Sequence, residues 1–274
     1  MRYLLSVFFL FITATSVFCQ TDSTKATLTV AAVYSSNANY YGQTASEQMP
    51  LGLLNATYRM PIGIYFSSSV YQLFNTPTTP ILSLETGYDA SITDKLKASI
   101  SYNHSFFPSN SPVLQASNYN TIGSSLSYSY LLTSTLGVDY AFGKQQDIFV
   151  TFSNSKSIEL GSLFDENDAI SIEPAVELTS GTQHFYQTYI THKNSKNQPG
   201  KNNSGQNNGN APVTTYVPNT KFSFLSCNFK IPFNYSRDSY LIETSYQLSV
   251  LGKNDEIPLG TMKSFLGLSF YYQF

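Results

Sequence analysis

Alternate residues of the segment Ser264 to Phe274 belong to two populations. Counting back from Phe274, the set Phe274, Tyr272, Phe270, Leu268 and Leu266 is wholly apolar or aromatic, whereas the interleaved set Gln273, Tyr271, Ser269, Gly267 and Phe265 is smaller and more polar. A period of two places successive side chains on opposite faces of a β-strand, so the segment predicts a strand with one apolar face. The same signal recurs along the chain in segments of about ten residues separated by turn-formers. The predicted strands are Ala26 to Tyr34, Leu51 to Arg59, Ile62 to Gln72, Ile81 to Ile92, Leu96 to Phe106, Tyr119 to Leu131, Ser134 to Phe142, Asp147 to Ile158, Ala169 to His192, Lys221 to Ile231, Ser239 to Val250 and Lys263 to Phe274.

Two architectures produce such alternation: a soluble β-sandwich, in which one face meets a core, and a barrel in lipid. Charge decides between them. Only 12% of the 274 residues are charged, about half the usual quarter, and a soluble domain of this size needs charge on its surface. The chain carries Ser, Thr, Asn and Gln instead, with 21 Tyr, 20 Phe and no Trp. Uncharged polar side chains suit a lumen, and aromatic side chains suit interfacial girdles. No stretch after residue 20 is long enough for a spanning helix, so crossing a membrane requires a barrel. A net charge of −2 gives no basic footprint for nucleic acid.

At the N-terminus, Arg2, the apolar run Tyr3 to Phe18 and Cys19 have the order of a secretory signal peptide. The expectation is a signal peptide at residues 1–19 and one barrel domain at 20–274, with long loops at 35–50, 107–118 and 193–219. Phe18 fits poorly with the alternative of a lipidated Cys19. With Cys19 removed, Cys227 has no disulfide partner and no metal-ligand spacing around it.

The strand count depends on Ala169 to His192. Splitting it at Ser180 and Gly181 gives an odd number and puts the 193–219 loop at the wrong end, whereas single-chain bacterial barrels have even counts. One long strand gives twelve, with fourteen as the alternative. Parity then sets the faces. Leu82, Leu84, Ile100, Tyr102, Leu136, Val138, Ile148 and Phe152 fall toward lipid, while Arg59, Glu85, Asp89, Lys97, Asp139, Glu173, Glu177 and Glu243 fall inward as candidate pore-lining residues. Lys230 shares parity with Phe222 and Phe224 and is expected on the lipid side, near a strand end where it can snorkel. Six inward carboxylates against Arg59 and Lys97 predict a mildly acidic lumen. Twelve strands lie between eight, which side chains fill, and sixteen, which leave a channel, so a plugged and an open interior both remain.

Catalytic and metal readings are weak. His104 lies between Asn103 and Ser105, which as sequence neighbours face the opposite side of a strand. His184 and His192 would stand roughly 26 Å apart on a regular strand, too far for one metal. Asp165, Glu166, Asn167 and Asp168 lack calcium-loop spacing and read as a solvated turn. No catalytic residue, metal or cofactor is expected.

The terminal strand with its final Phe274 resembles the closing strand of outer-membrane β-barrels. Tyr41-Gly-Gln-Thr44, Ser105-Phe-Phe-Pro108, the segment Ser111 to Ser117, Asp139-Tyr-Ala-Phe-Gly-Lys144, Lys156-Ser-Ile-Glu-Leu-Gly161 and Gly181-Thr-Gln-His-Phe-Tyr186 together resemble uncharacterised outer-membrane barrel proteins of Bacteroidota. That resemblance implies a barrel and an envelope address, with no activity to carry over. The functional expectation is a small passive channel or solute-binding porin-like protein in contact with outer-membrane lipid. The alternative is a non-conducting scaffold whose loops bind an envelope protein.

Overall fold

The computed structural model describes residues 25–44, 48–75, 79–109, 111–164, 167–185, 221–253 and 260–274. The expected signal peptide, the 193–219 loop, His192, Asp165 and Glu166 lie outside the described residues. The β-segments are β1 (Thr27–Ser35), β2 (Leu51–Arg59), β3 (Ile64–Leu73), β4 (Ile81–Ser91), β5 (Leu96–Phe106), β6 (Asn120–Ser129), β7 (Thr133–Phe142), β8 (Gln146–Ser155), β9 (Ile158–Gly161), β10 (Asp168–Ile172), β11 (Ala175–Gly181), β12 (Ser223–Arg237), β13 (Tyr240–Leu251) and β14 (Met262–Gln273).

All pair antiparallel, and the pairings of β1 with β14 and of β11 with β12 close the sheet. β8 and β9 pair in succession with β11 and β10, which themselves pair in succession with β12. Each couple is therefore one wall strand. Pro174, which has no N–H, interrupts the β10–β11 couple, but the ladder continues across it. The Lys156 N–H donates to Pro174 O and the Glu173 N–H to Pro232 O, both at 3.2 Å. Fourteen segments with two such couples make a transmembrane barrel of twelve strands.

The outward face is apolar around the circumference. Val30, Leu54, Val70, Leu84, Ile100, Leu126, Val138, Ile148, Val176, Ile231, Ile242 and Leu268 are all exposed. Aromatic side chains flank this belt: Tyr58, Tyr128, Tyr130 and Tyr272 at one end, and Tyr34, Phe74 and Phe106 at the other. In water such a surface would be a severe liability, whereas in a bilayer it is the lipid-facing band with its girdles. The first end carries the short connections 60–63, 92–95, 130–132, 162–167 and 238–239; the second carries every long one, together with the short 143–145 turn.

Three expectations need correction. Lys230 does not face lipid. Thr179 pairs with Ser226 while Ser180 pairs with Phe224, so Leu225 is an extra residue in β12. Leu225 and Ser226 both point inward and are fully buried. Beyond this bulge the parity of β12 is inverted: Phe229, Ile231 and Phe233 face out, and Lys230 reaches Glu177 in the interior. The predicted join at Asn234 to Asp238 is instead strand as far as Arg237, which pairs with Tyr240, and the turn is made at Asp238 with φ 47°. The strand expected to run from Ala169 to His192 leaves the wall after Gly181. Thr182 still bonds Ile148, but His184 and Phe185 are helical and Phe185 is fully buried inside the barrel.

The bulged register predicts different outcomes for adjacent residues. Phe229→Arg should destabilise the barrel by about 2–4 kcal/mol, as a charge placed at mid-bilayer depth does, and Lys230→Arg should change little. Urea unfolding in lipid vesicles measures both, and equal losses would contradict the bulge.

Candidate functional site

The inward parity of the wall strands collects hydroxyl and amide side chains, which bond to one another across strands. Asn55 donates to Ser67 Oγ at 2.7 Å and Ser69 Oγ at 2.8 Å, Asn103 donates to Ser83 Oγ at 2.8 Å, and Ser99 meets Ser125 at 2.8 Å. Ser127 and Thr135 meet at 2.8 Å. These ladders satisfy the polar atoms locally and leave the inner surface hydrophilic.

The charged residues sort into distinct groups. Arg59 is ion-paired with Asp89, and its guanidinium lies 4.9 Å from the centroid of the Tyr65 ring. The Tyr65 hydroxyl donates to Glu85 Oε1 at 2.7 Å. Glu177 accepts from Lys230 Nζ at 2.7 Å and from Asn228 Nδ2 at 2.9 Å. Glu173, beside the strand interruption, accepts from Ser155 Oγ at 2.8 Å. Lys97 sits near the short-turn end, opposite Ser91 and Ser127, and Glu243 sits opposite Asn234 and Ser269. Asp139 is claimed by a loop rather than by a base.

That loop is the connection between β1 and β2. Its tip folds into the barrel. Tyr40 and Gln43 exchange backbone bonds of 2.9 and 3.0 Å around Tyr41 and Gly42. Their φ values of 51° and 83° are those of a two-residue hairpin turn of the primed type. Only glycine fits at position 42, since a Cβ there would lie 2.7 Å from Asn228 Oδ1. The Tyr41 ring stacks on Phe149 at 3.8 Å and 14°, its hydroxyl donates to Asp139 Oδ2 at 2.8 Å, and its carbonyl accepts from Ser226 Oγ at 2.9 Å. Burial, reinforced by Asp139, pushes the Tyr41 phenol above its ordinary range; burial does the same to Tyr40. Both stay protonated at neutral pH.

Two further segments complete a cap over the barrel mouth. The β5–β6 loop makes a short 3₁₀ turn, Leu114–Ser117. It places Leu114 against Ala141, Phe149, Phe185 and Leu225, and Val113 against Ala38, Met49, Leu73 and Ile81. The third segment is Thr182 to Phe185. The last two segments converge on Asp147, which is 1% exposed. Its carboxylate accepts from Asn118 Nδ2 at 2.7 Å, Thr182 Oγ1 at 2.6 Å, the His184 N–H at 2.9 Å and the Phe185 N–H at 3.0 Å, and His184 Nδ1 lies 3.0 Å away. Asp147 stands next to Ile148, which faces lipid, so its inward direction could have been read from parity. Its partners could not, because they come from loops.

Beneath the cap lies a cavity of about 290 Å³ against β2–β7, walled by aromatic rings, by aliphatic side chains such as Leu51, Leu73 and Ile81, and by polar side chains from the strands, among them Glu85 and Asp139. The other histidines and acids stand apart from it. His104 is at the interface, bonded through Nδ1 to Asn120 Oδ1 at 2.7 Å and edge-on to Phe106. Asp168 is not solvated as expected; it is 5% exposed and accepts from the N–H groups of Leu163 at 2.7 Å and Phe164 at 2.8 Å. Among the described residues, no three His, Cys, Asp or Glu side chains converge as a metal site would require.

No family model matches the chain, and no curated protein matches it in sequence. Solved structures similar to it include the KdgM porin, at 9% identity and a TM-score of 0.48 over 90% of this chain and 99% of that one. LpxR from Salmonella typhimurium is similar at 11% identity and a TM-score of 0.49, over 90% and 99%. An outer membrane channel from Pseudomonas putida F1 is similar at 10% identity and a TM-score of 0.42, over 93% and 97%. No functional residue is carried across from them.

The convergence on Asp147 makes the cap separable from the wall. Asp147→Asn should weaken the 182–185 segment on the order of 3 kcal/mol, since several charge-assisted bonds lose strength together. Hydrogen–deuterium exchange in detergent should show the His184 and Phe185 amides losing protection while wall-strand amides keep theirs.

Proposed function

We propose that the chain is a bacterial outer-membrane barrel that binds and passively admits small solutes, a narrow porin-like channel exported by the signal peptide at residues 1–19. The observation that carries this reading is the hydrophilic interior. Hydroxyl ladders and acidic and basic side chains line the wall beneath a cap that leaves a cavity of about 290 Å³ with both polar and apolar walls. A barrel built only as a membrane anchor would have no need of such a lining, and side chains alone can fill a smaller one. Arg59, Glu85, Asp89, Lys97, Asp139, Glu173, Glu177 and Glu243 are the pore-lining residues in this reading. Lys230 joins them, paired with Glu177. No catalytic role is assigned to His104 or to any other residue, and membership of a Bacteroidota barrel group remains part of the proposal.

The cap favours a second reading. Three chain segments packed into the mouth suit a non-conducting scaffold whose outer surface meets an envelope partner. Planar-bilayer recordings separate the two. The wild-type barrel should give small, cation-preferring conductance steps. The double variant Tyr40→Gly, Tyr41→Gly removes both rings at the loop tip and should enlarge the steps. A barrel silent both as wild type and with the tip trimmed is a scaffold and not a channel.

A further inference from the structure

We propose that the cavity beneath the cap is a binding site for a small organic ammonium ion, with Glu85 and Asp139 as its counter-charges and the rings of Tyr40, Tyr41 and Tyr71 as its walls. This deepens the solute-binding reading and rests on it. The cavity, at about 290 Å³, falls at the lower edge of the roughly 300–1,000 Å³ found for small-molecule pockets, which restricts the occupant to a compact molecule.

Among the described residues that line the cavity there is no Lys, Arg or His. Asp89 is ion-paired with Arg59, and Glu177 with Lys230. Glu85 and Asp139 have only phenol partners, Tyr65 and Tyr41, and neither is ion-paired among the described residues. Two carboxylates without a base, enclosed by protein, favour a cation as occupant.

An independent observation concerns Asn118. It is 4% exposed, and its amide nitrogen is held by Asp147 at 2.7 Å. That bond fixes the orientation of the side chain, yet Asn118 Oδ1 has no hydrogen-bond partner. The Tyr40 hydroxyl lies within side-chain hydrogen-bonding reach of Asn118, but it too closes no bond of good geometry, so a ligand N–H competes with that phenol for the carbonyl oxygen. Both residues line the cavity. A buried carbonyl oxygen without a donor is costly, and a ligand N–H removes that cost.

The unmet groups are thus a carbonyl oxygen and a hydroxyl, the charge is negative and part of the wall is aromatic. An ammonium group offers up to three donors and no acceptor, and tyrosine faces attract cations. A carboxylate or phosphate would meet like charge. A neutral polyol could donate hydrogen bonds but would leave both carboxylates uncompensated.

Isothermal titration of the full-length barrel in detergent tests this with three probes of similar shape: benzylammonium, benzyl alcohol and benzoate. Benzylammonium should saturate a single site, benzyl alcohol should bind at least about tenfold more weakly, and benzoate should give no heat. Glu85→Gln keeps the wall geometry and should weaken benzylammonium about tenfold while leaving benzyl alcohol unchanged. Asp139→Asn should do the same; where it also loosens the Tyr41 tip, Glu85→Gln decides. Equal affinity for all three probes, no binding of benzylammonium, or unchanged binding in Glu85→Gln overturns the proposal. Conductance without ammonium binding removes this site and leaves the channel. Ammonium binding without conductance removes the channel and leaves the site.

Discussion

Closure of the hydrogen-bond ladder is the constraint on which everything else depends. Lipid offers no water to an unpaired N–H or C=O, so a sheet crosses a bilayer only when its last strand pairs with its first. Here β14 pairs with β1 from Gln273 opposite Thr29 to Gly267 opposite Ser35. Closure also makes the faces collective. Val30 stands opposite Ala56 on one side and Tyr272 on the other, and even-numbered residues face outward along β1 to β8. A single inserted residue therefore re-aims everything beyond it on that strand. The bulge at Leu225 does this on β12, and the result is that Lys230 pairs with Glu177 instead of standing in lipid.

The parts of the fold that obey a period of two were legible in the sequence. Twelve wall strands and the apolar belt follow from alternation joined to scarce charge. What stayed hidden obeys a different rule. Leu225 and Ser226 are adjacent and both inward, and alternation has no symbol for that. Asn234 to Asp238 has turn-forming composition, yet its ladder with β13 extends to Arg237 opposite Tyr240; pairing across the sheet overrode local preference. Residues Thr182 to Phe185 continued an apolar and polar mixture that resembled a fading strand, and the carboxylate of Asp147 together with the apolar pocket around Phe185 explains why they turn inward.

The candidate site shows the same division. Glu85 and Asp139 were placed inside by parity, but parity does not say which inward carboxylates find a base. That depends on strand stagger, which brings Arg59 to Asp89 and Lys230 to Glu177. Tyr40, Tyr41 and Asn118 come from loops, whose return into the barrel has no periodic signature. One local signal was available. Phe149 carries inward parity on a strand whose even positions already face lipid, and a large ring directed into a hydrophilic lumen needs an apolar partner from elsewhere.

That need explains why the mouth is capped. The loops carry Met49, Phe107, Val113 and Leu114, which water would solvate poorly, and the wall offers Leu73, Ile81, Ala141, Phe149 and Leu225 on its inner face at the same end. Burying a side chain such as Leu or Phe contributes about 1.5–3 kcal/mol, so loops and wall together form a core of the kind found in soluble proteins, enclosed by the barrel. Against that gain stands Tyr41, held at φ 51°, where a non-glycine residue costs about 1–2 kcal/mol. Its stack on Phe149 and its bond to Asp139 offset the strain. The cap thus joins two kinds of attachment: an apolar core that tolerates small shifts, and a fully buried carboxylate, Asp147, that does not. Asn118 is fixed by the carboxylate and Tyr41 by its stack on Phe149 and its bond to Asp139, and both line the same cavity. Its acceptor geometry is therefore set before any ligand arrives.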